Sequence, residues 1–466
     1  MSFYERDLLF LAVACVAGFA LDHHLSKRRR RDAQEETREL EEHAENGSNG
    51  IKTASGVGTP NALASLSKTY LAVYALVMGA DWLQGPYIYS LYHEQYQLPE
   101  QMVAVLFVAG FVSAGLAAPL VGGLADQHGR KRLCLIFCGL YISACICILS
   151  PTLPILLVGR VLGGTATSIL FSAFESWLVS AAHSHGLSSS DLSLLMGRAT
   201  TLNGLIATVS GVLSNQLVAF SNSFATPFVA SAALLVLASI LIRSTWSENY
   251  GSMSAAKDAS SDPFQLHRLG AAWRIVSQDT RLLVLGITQT VFEGSMYLFV
   301  FLWVPALQEF STDELLPLGY IFSALMLSMM LGSLFYSQAS TLSPDNSLIT
   351  HAKLSSCVCV LAALALALAV SQPSAHVRFW AFCLFEACVG CYYPVQGMLR
   401  STLITNDQRA TLSALFRVPL NVFVVVSLLT GIESAGTRGA VLSACSVMLG
   451  VASVLTGVFI VGAAPT

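Results

Sequence analysis

Six ionisable side chains interrupt long apolar runs in this chain: Asp81, Arg160, Glu175, Glu293, Glu386 and Arg417. An arginine near a bilayer centre costs about 2.5–3.5 kcal/mol on insertion scales, so it is expected to face an aqueous cavity or a carboxylate. Arg also presents a planar fork of N–H donors suited to oxyanions. Arg160 and Arg417 are therefore candidate substrate-binding cations. A snorkelling surface role is the bland alternative for Arg160, weakened by its position several residues inside its run. Acids in such a setting either lock onto bases or carry protons. Asp81, Glu293 and Glu386, nearer the middle of their runs, are candidate coupling and cavity groups. Glu175 and Arg417 lie towards one end of theirs, where a gating lock is as good a reading as binding. Trp82, Tyr87, Tyr89, Tyr297, Tyr392 and Tyr393 stand near these charges and could line a pathway, although helix-packing aromatics are commoner.

A second cluster lies between apolar runs, in Gly122-Gly123-Leu124-Ala125-Asp126-Gln127-His128-Gly129-Arg130-Lys131-Arg132. Glycines such as Gly123 and Gly129 let helices approach closely. Asp126 can pair with Arg130 or Lys131, or face a helix N-terminus, and so latch one conformation of a gate. A plain basic turn would explain the cations but not the acid among its glycines.

Stepping out to the elements that hold these groups, 54% of the 466 residues are hydrophobic and only 11% charged, with mean hydropathy +0.63. Soluble domains carry roughly 25% charged residues, so this chain lacks the polar surface for water. Its apolar residues come in continuous runs of membrane-crossing length, which need about 20 residues each. With no in/out alternation, those runs read as helices and not as a barrel. The expected fold class is an all-α membrane protein. Twelve core spans are placed near 69–92, 101–124, 133–150, 154–178, 199–220, 226–243, 282–304, 317–337, 352–371, 377–399, 412–431 and 440–462. The expected organisation is an N-terminal signal-anchor helix (1–25), a charged, disordered cytosolic linker (26–67), a six-helix bundle (68–243), a cytosolic central loop (244–281) and a second six-helix bundle with a short tail (282–466). Basic residues 27–31 follow the first run instead of preceding it, which argues against a cleaved signal.

With the linker placed in the cytosol, 20 of the 25 Lys and Arg fall inside and only Arg6, Arg378 and Arg438 outside, as the positive-inside rule requires. The halves echo one another: Lys68 and Asp81 in the first match Arg281 and Glu293 in the second, and Arg198 and Asn203 match Arg417 and Asn421. Parallel repeats around a central site characterise two-halved transporters. All 11 cysteines lie in apolar runs, so a disulfide framework has no support. Cys357 and Cys359 would sit about 200° apart on a helix, so no metal site is expected. No cofactor motif, nucleophile–base pair or phosphate-cradling loop occurs, which argues against an enzyme. Nor is there a basic domain with interleaved aromatics for nucleic acid.

The loop at 122–132 resembles the signature G-x-L-x-D-R-x-G-R-R of the major facilitator superfamily, with Gln127 in place of a basic residue. Leu157-Val158-Gly159-Arg160-Val161-Leu162-Gly163-Gly164-Thr165 resembles a second pattern of that superfamily. Five blocks are similar to those of its molybdate-anion transporter family: Ala80-Asp81-Trp82-Leu83-Gln84-Gly85-Pro86-Tyr87, Phe171-Ser172-Ala173-Phe174-Glu175-Ser176-Trp177, Trp246-Ser247-Glu248-Asn249-Tyr250, Phe299-Val300-Phe301-Leu302-Trp303-Val304-Pro305 and Phe416-Arg417-Val418-Pro419. The resemblance implies a major facilitator fold and molybdate uptake across the cell membrane by a multi-pass protein with linker, central loop and C-terminus in the cytosol. Moving a dianion inward against ~100 mV costs about 4.6 kcal/mol, at about 2.3 per charge. Two co-transported protons would cancel that charge, with Asp81, Glu293 and Glu386 as their carriers. A porter for sulfate, another anion or a sugar is the near alternative, and a sensor or scaffold that lost transport is the distant one.

Overall fold

The computed structural model describes residues 3–45, 60–250, 266–310, 315–342, 348–404, 406–430 and 434–462. Helices joined by short turns account for nearly all of them. Helix α1 spans Phe3–Glu45. The first half of the core comprises α2 (Pro60–Gln84), α3 (Glu100–His128), α4 (Arg130–Cys147), α5 (Leu153–Ser184), α6 (Ser189–Ser221) and α7 (Thr226–Thr245). A short α8 (Leu266–Gln278) leads into α9 (Thr280–Gln308), α10 (Leu318–Leu342), α11 (Leu348–Ser371), α12 (Ala375–Leu403), α13 (Asn406–Leu429) and α14 (Ala435–Thr456).

Ten helices among the described residues are long and apolar enough to cross a membrane: Phe3–Leu25 of α1 and nine of the core. The other three core helices are charged or short in their apolar part. Helix α4 opens on three basic residues, α12 carries Arg378, Glu386 and Arg400, and the apolar part of α13 is Leu415–Leu429. Each packs among the others, α4 on α5 and α7, α12 between α10 and α11, and α13 on α9.

Helix boundaries follow local chemistry. Ser188 and Asp191 form a reciprocal capping box at the start of α6, whose far terminus is Asn222 at φ 52°. A Ser434/Thr437 box opens α14, and the Asp279 carboxylate takes the Arg281 N–H at the start of α9. Such caps satisfy the orphan donors of a helix N-terminus.

Three expectations change. The linker expected to be disordered over 26–67 is helical at 26–45, as a continuation of α1, and at 60–67, within α2; residues 46–59 lie outside the described residues. The first core span ends at Gln84 instead of running on to 92, because Pro86 cannot continue an α-helix; Ile88–Ser90 and a wide turn at Leu91–Gln95 follow. Helix α13 begins at 406 and not near 412, since Asp407 and Arg409 lower the hydropathy of its first turns without breaking them.

The end of the bundle that carries Arg130, Lys131 and Arg132 is called here the basic end, and the other the far end. Contact between halves is made by α6 with α10, by α3 with α13 and by Ile88–Ser90 with α9, and by aromatic side chains of α3 on α9. Where α6 crosses α10, a Cβ on Gly211 would strike Ser323 Oγ and the Gly319 carbonyl, and one on Gly319 would strike Gly211 and Asn215. Absent side chains there let two backbones meet, as small residues do between membrane helices. Ser323 Oγ donates to Thr208 O at 2.8 Å across the same seam. Helix α1 packs on the outside of the second half, against α10, through Cys15 Sγ to Leu327 O (3.4 Å), Gln338 Nε2 to Gly18 O (3.2 Å) and Ser337 Oγ to Asp22 (2.7 Å).

Candidate substrate site and gates

In the first half, Arg160 sits on α5 and reaches sideways to α3. Its Nε donates to Leu106 O at 3.1 Å, and its guanidinium lies over the Phe107 ring, 5.3 Å from the centroid. A Cβ at Gly110 would fall on the guanidinium, so the missing side chain makes the slot that the cation fills. Among the described residues, no carboxylate lies within ion-pair distance of Arg160. Asp81, a candidate coupling group, accepts a 2.5 Å hydrogen bond from Tyr141 OH. Next to it in sequence, Trp82 donates to Asn203 at 2.8 Å and meets Phe322 of the other half.

In the second half, Glu293 is buried in α9 beside Gln289 and Tyr392, with Arg400 and Arg417 in electrostatic reach. Arg417 also neighbours Tyr297. Arg417 is eleven residues into its helix but only two into the apolar part, Leu415–Leu429, and its charge reaches Glu293. Arg400, expected in a loop, lies on α12 and joins the same cluster. Glu386 is buried on α12, one heptad before Tyr393, with no hydrogen-bond or ion-pair partner among the described residues. Phe111, next to the Gly110 slot, packs edge-on against Tyr297 with centroids 5.0 Å apart. The two arginines thus flank one aromatic contact between the halves.

At the basic end, Arg130 Nη2 meets Asp126 at 2.8 Å across the turn, and Nη1 donates to Ser176 O at 3.2 Å. The turn residue, Gly129, has φ 99°, and a Cβ there would strike the Glu248 carboxylate. That carboxylate takes the N–H groups of Lys131 (2.9 Å) and Arg132 (3.2 Å) at the N-terminus of α4. Lys131 Nζ donates to Trp246 O at 2.6 Å. Trp177 stacks on Trp246 at 3.7 Å and donates to Ser247 O at 2.9 Å. Residues 246–250 are therefore a clasp that closes the signature turn onto α5. Gly123 lies on the last turns of α3, half-buried, ahead of this clasp. Glu175 is exposed and lines a pocket of about 480 Å³ with Arg130, Ser176, Ser180, His183 and Tyr250.

The far end holds groups that sequence reasoning missed. Arg438 of α14 donates to both oxygens of Glu100 on α3, at 2.9 and 2.8 Å, and to Glu309 at 2.6 Å. Glu309 also takes Arg378 at 2.9 Å. Glu94 accepts from Gln308 across the halves at 2.6 Å. Two cations and two anions, mostly buried, thus join the halves. Arg378 and Arg438 had been counted as loop charges, and only their departure from the positive-inside pattern marked them.

Helices in two packed sets, charges inside both, and hydrogen-bonded seams between them define a membrane transporter of the major facilitator superfamily. A family model described as sugar transporters with 12 TM matches residues 48–385. A molybdate-anion transporter of Xenopus tropicalis is 33% identical over 412 residues, 85% of this chain and 86% of its own. One from Danio rerio is 30% identical over 447 residues, 88% and 90% of the two chains. The solved nucleoside transporter NupG superposes with a TM-score of 0.67 at 12% identity, over 84% of this chain and 99% of that one, a likeness of fold alone. This chain belongs to the molybdate-anion transporter family.

Proposed function

We propose that the protein takes up molybdate through the cell membrane by alternating access, with Arg160 and Arg417 as the cations that receive the oxyanion. The observation that carries this reading is the seat of Arg160: a guanidinium between two apolar helices, held by a carbonyl and a ring face, with no carboxylate among the described residues to neutralise it. A dianion there would meet two arginines from opposite halves, and its binding would draw on both. Relatives named molybdate-anion transporters supply the ion.

Positive-inside asymmetry puts the basic end, with the central loop and C-terminus, in the cytosol. The far-end ion pairs then seal the outer side, and the conformation is one that releases cargo inward. Uptake of a dianion against the membrane potential calls for a driving ion. Glu386, buried without a partner, and Glu293, set among arginines, are the proton carriers of this reading, with Asp81 held by Tyr141 as a third.

The test is molybdate flux into vesicles reconstituted with the purified protein, with sulfate as competitor and an imposed pH gradient. Arg160→Ala and Arg417→Ala are each expected to lower flux at least tenfold, about 1.4 kcal/mol of lost stabilisation. Unchanged flux in both variants rejects the anion site; flux indifferent to the gradient rejects the protons.

A further inference from the structure

The substrate cation and the far-end seal are connected by an unbroken series of contacts. Arg160 lies on one face of Phe107. The Phe107 ring meets Phe301 of α9 in a T-shaped contact, centroids 4.9 Å apart and planes at 86°. Phe301 meets Tyr89 in a second T-shaped contact at 5.8 Å. Tyr89 OH donates to Glu100 at 3.3 Å, and Glu100 is the carboxylate that takes Arg438 of the other half. Phe107, Tyr89 and Glu100 belong to the first half, Phe301 and Arg438 to the second, so the series crosses between halves three times.

We infer that Phe107 and Phe301 are positioning residues that couple occupancy of Arg160 to closure of the far end. This rests on the assignment of Arg160 as an anion-binding group. The physical reason is that one ring serves two partners. A cation over an aromatic face is attracted by about 0.5–2 kcal/mol, according to how dry the site is. An edge-to-face pair adds about 0.5–1.5 kcal/mol beyond its buried area. Phe107 offers its face to Arg160 while it packs against Phe301, and each contact restrains the ring for the other. An oxyanion that binds the guanidinium competes with the ring face and draws the cation away. The Phe107–Phe301 contact then loosens, and with it the Tyr89–Glu100 hydrogen bond that steadies the seal. Occupancy and closure therefore oppose each other. By linkage, weakening the seal must tighten anion binding by the same factor.

The proposal is more than a list of neighbours because it predicts non-additivity. Glu100→Gln in the otherwise native protein is expected to lower the molybdate dissociation constant about fivefold, the lower end of usual allosteric coupling. In the Phe107→Leu background the same substitution should leave it unchanged. Phe107→Tyr keeps the ring face and should keep the coupling. A second readout needs no substrate. Cysteines placed at Glu94→Cys and Gln308→Cys, whose native side chains meet across the halves, report closure by the rate at which a short bis-maleimide joins them, in a Cys357→Ser background. Arg160→Gln is expected to slow that rate about fivefold with Phe107 or Phe107→Tyr, and to leave it unaltered with Phe107→Leu. Equal effects of Arg160→Gln in the native and Phe107→Leu backgrounds, or none in either, overturn the coupling. Absence of molybdate binding by the native protein would instead overturn the substrate reading, while the cross-linking arm still decides the coupling.

Discussion

Arg160 shows how a costly group is kept ready for work. Its desolvation is offset in part by the Leu106 carbonyl and the Phe107 ring, both neutral, so the charge is held in place without being cancelled. A carboxylate partner would have stabilised it more and left less for a ligand. Gly110 is what makes this seat fit. Gly110→Ala is expected to expel the guanidinium and cut molybdate flux about as far as Arg160→Ala does, about tenfold or more, while the protein still elutes from size exclusion as the native protein does. Full flux in that variant would show that the slot does not hold the working position of the arginine. Little of this was legible in the amino-acid order. An arginine inside an apolar run is conspicuous, but the sequence left open whether it faced water or a carboxylate, and it offered the coupling candidate Asp81 no partner. Tyr141 holds that acid, 60 positions further on, and nothing local in sequence reveals the pairing.

Helix positions were far more legible, because hydropathy accumulates over twenty residues while pairing depends on single contacts. The misjudged edges are of two kinds: charge on a helical turn hid the first turns of α13, the start of α2 and the continuation of α1, while Pro86 ended α2 inside an apolar run. The far-end ion pairs were illegible for a related reason, since Glu100 and Arg438 lie 338 positions apart. The clasp at 246–250 explains a sequence block whose purpose was obscure. Its Glu248 places a carboxylate on the first N–H groups of α4, where the helix dipole favours negative charge by about 0.3–1 kcal/mol and up to ~2 in partly buried sites. Gly129 adopts a backbone that other residues enter at a cost on the order of 1–3 kcal/mol. Glu248→Ala and Gly129→Ala should therefore each lower the thermal unfolding midpoint in detergent. The double variant should fall less than the sum of the two, because both disturb one joint; strict additivity would mean that the clasp is not a unit.

At the scale of the whole molecule, the second half holds the buried acids of α9 and α12 and the first holds the slotted arginine. The candidate proton carriers thus lie chiefly on one half, while the candidate anion cations, Arg160 and Arg417, come one from each. Glu386→Gln is expected to leave molybdate binding within about twofold of native, since the residue touches neither arginine, while abolishing stimulation of flux by an inward proton gradient. That size of change corresponds to only about 0.4 kcal/mol. Gradient-driven flux that survives the substitution would move the proton to Glu293 or Asp81.

The outer lodging of α1 has a consequence for how the chain is strung together. The helix that comes first in sequence travels with the half that comes last, whereas α2, next along the chain, belongs to the opposite body. Any motion of one half against the other must therefore carry α1 along with the second.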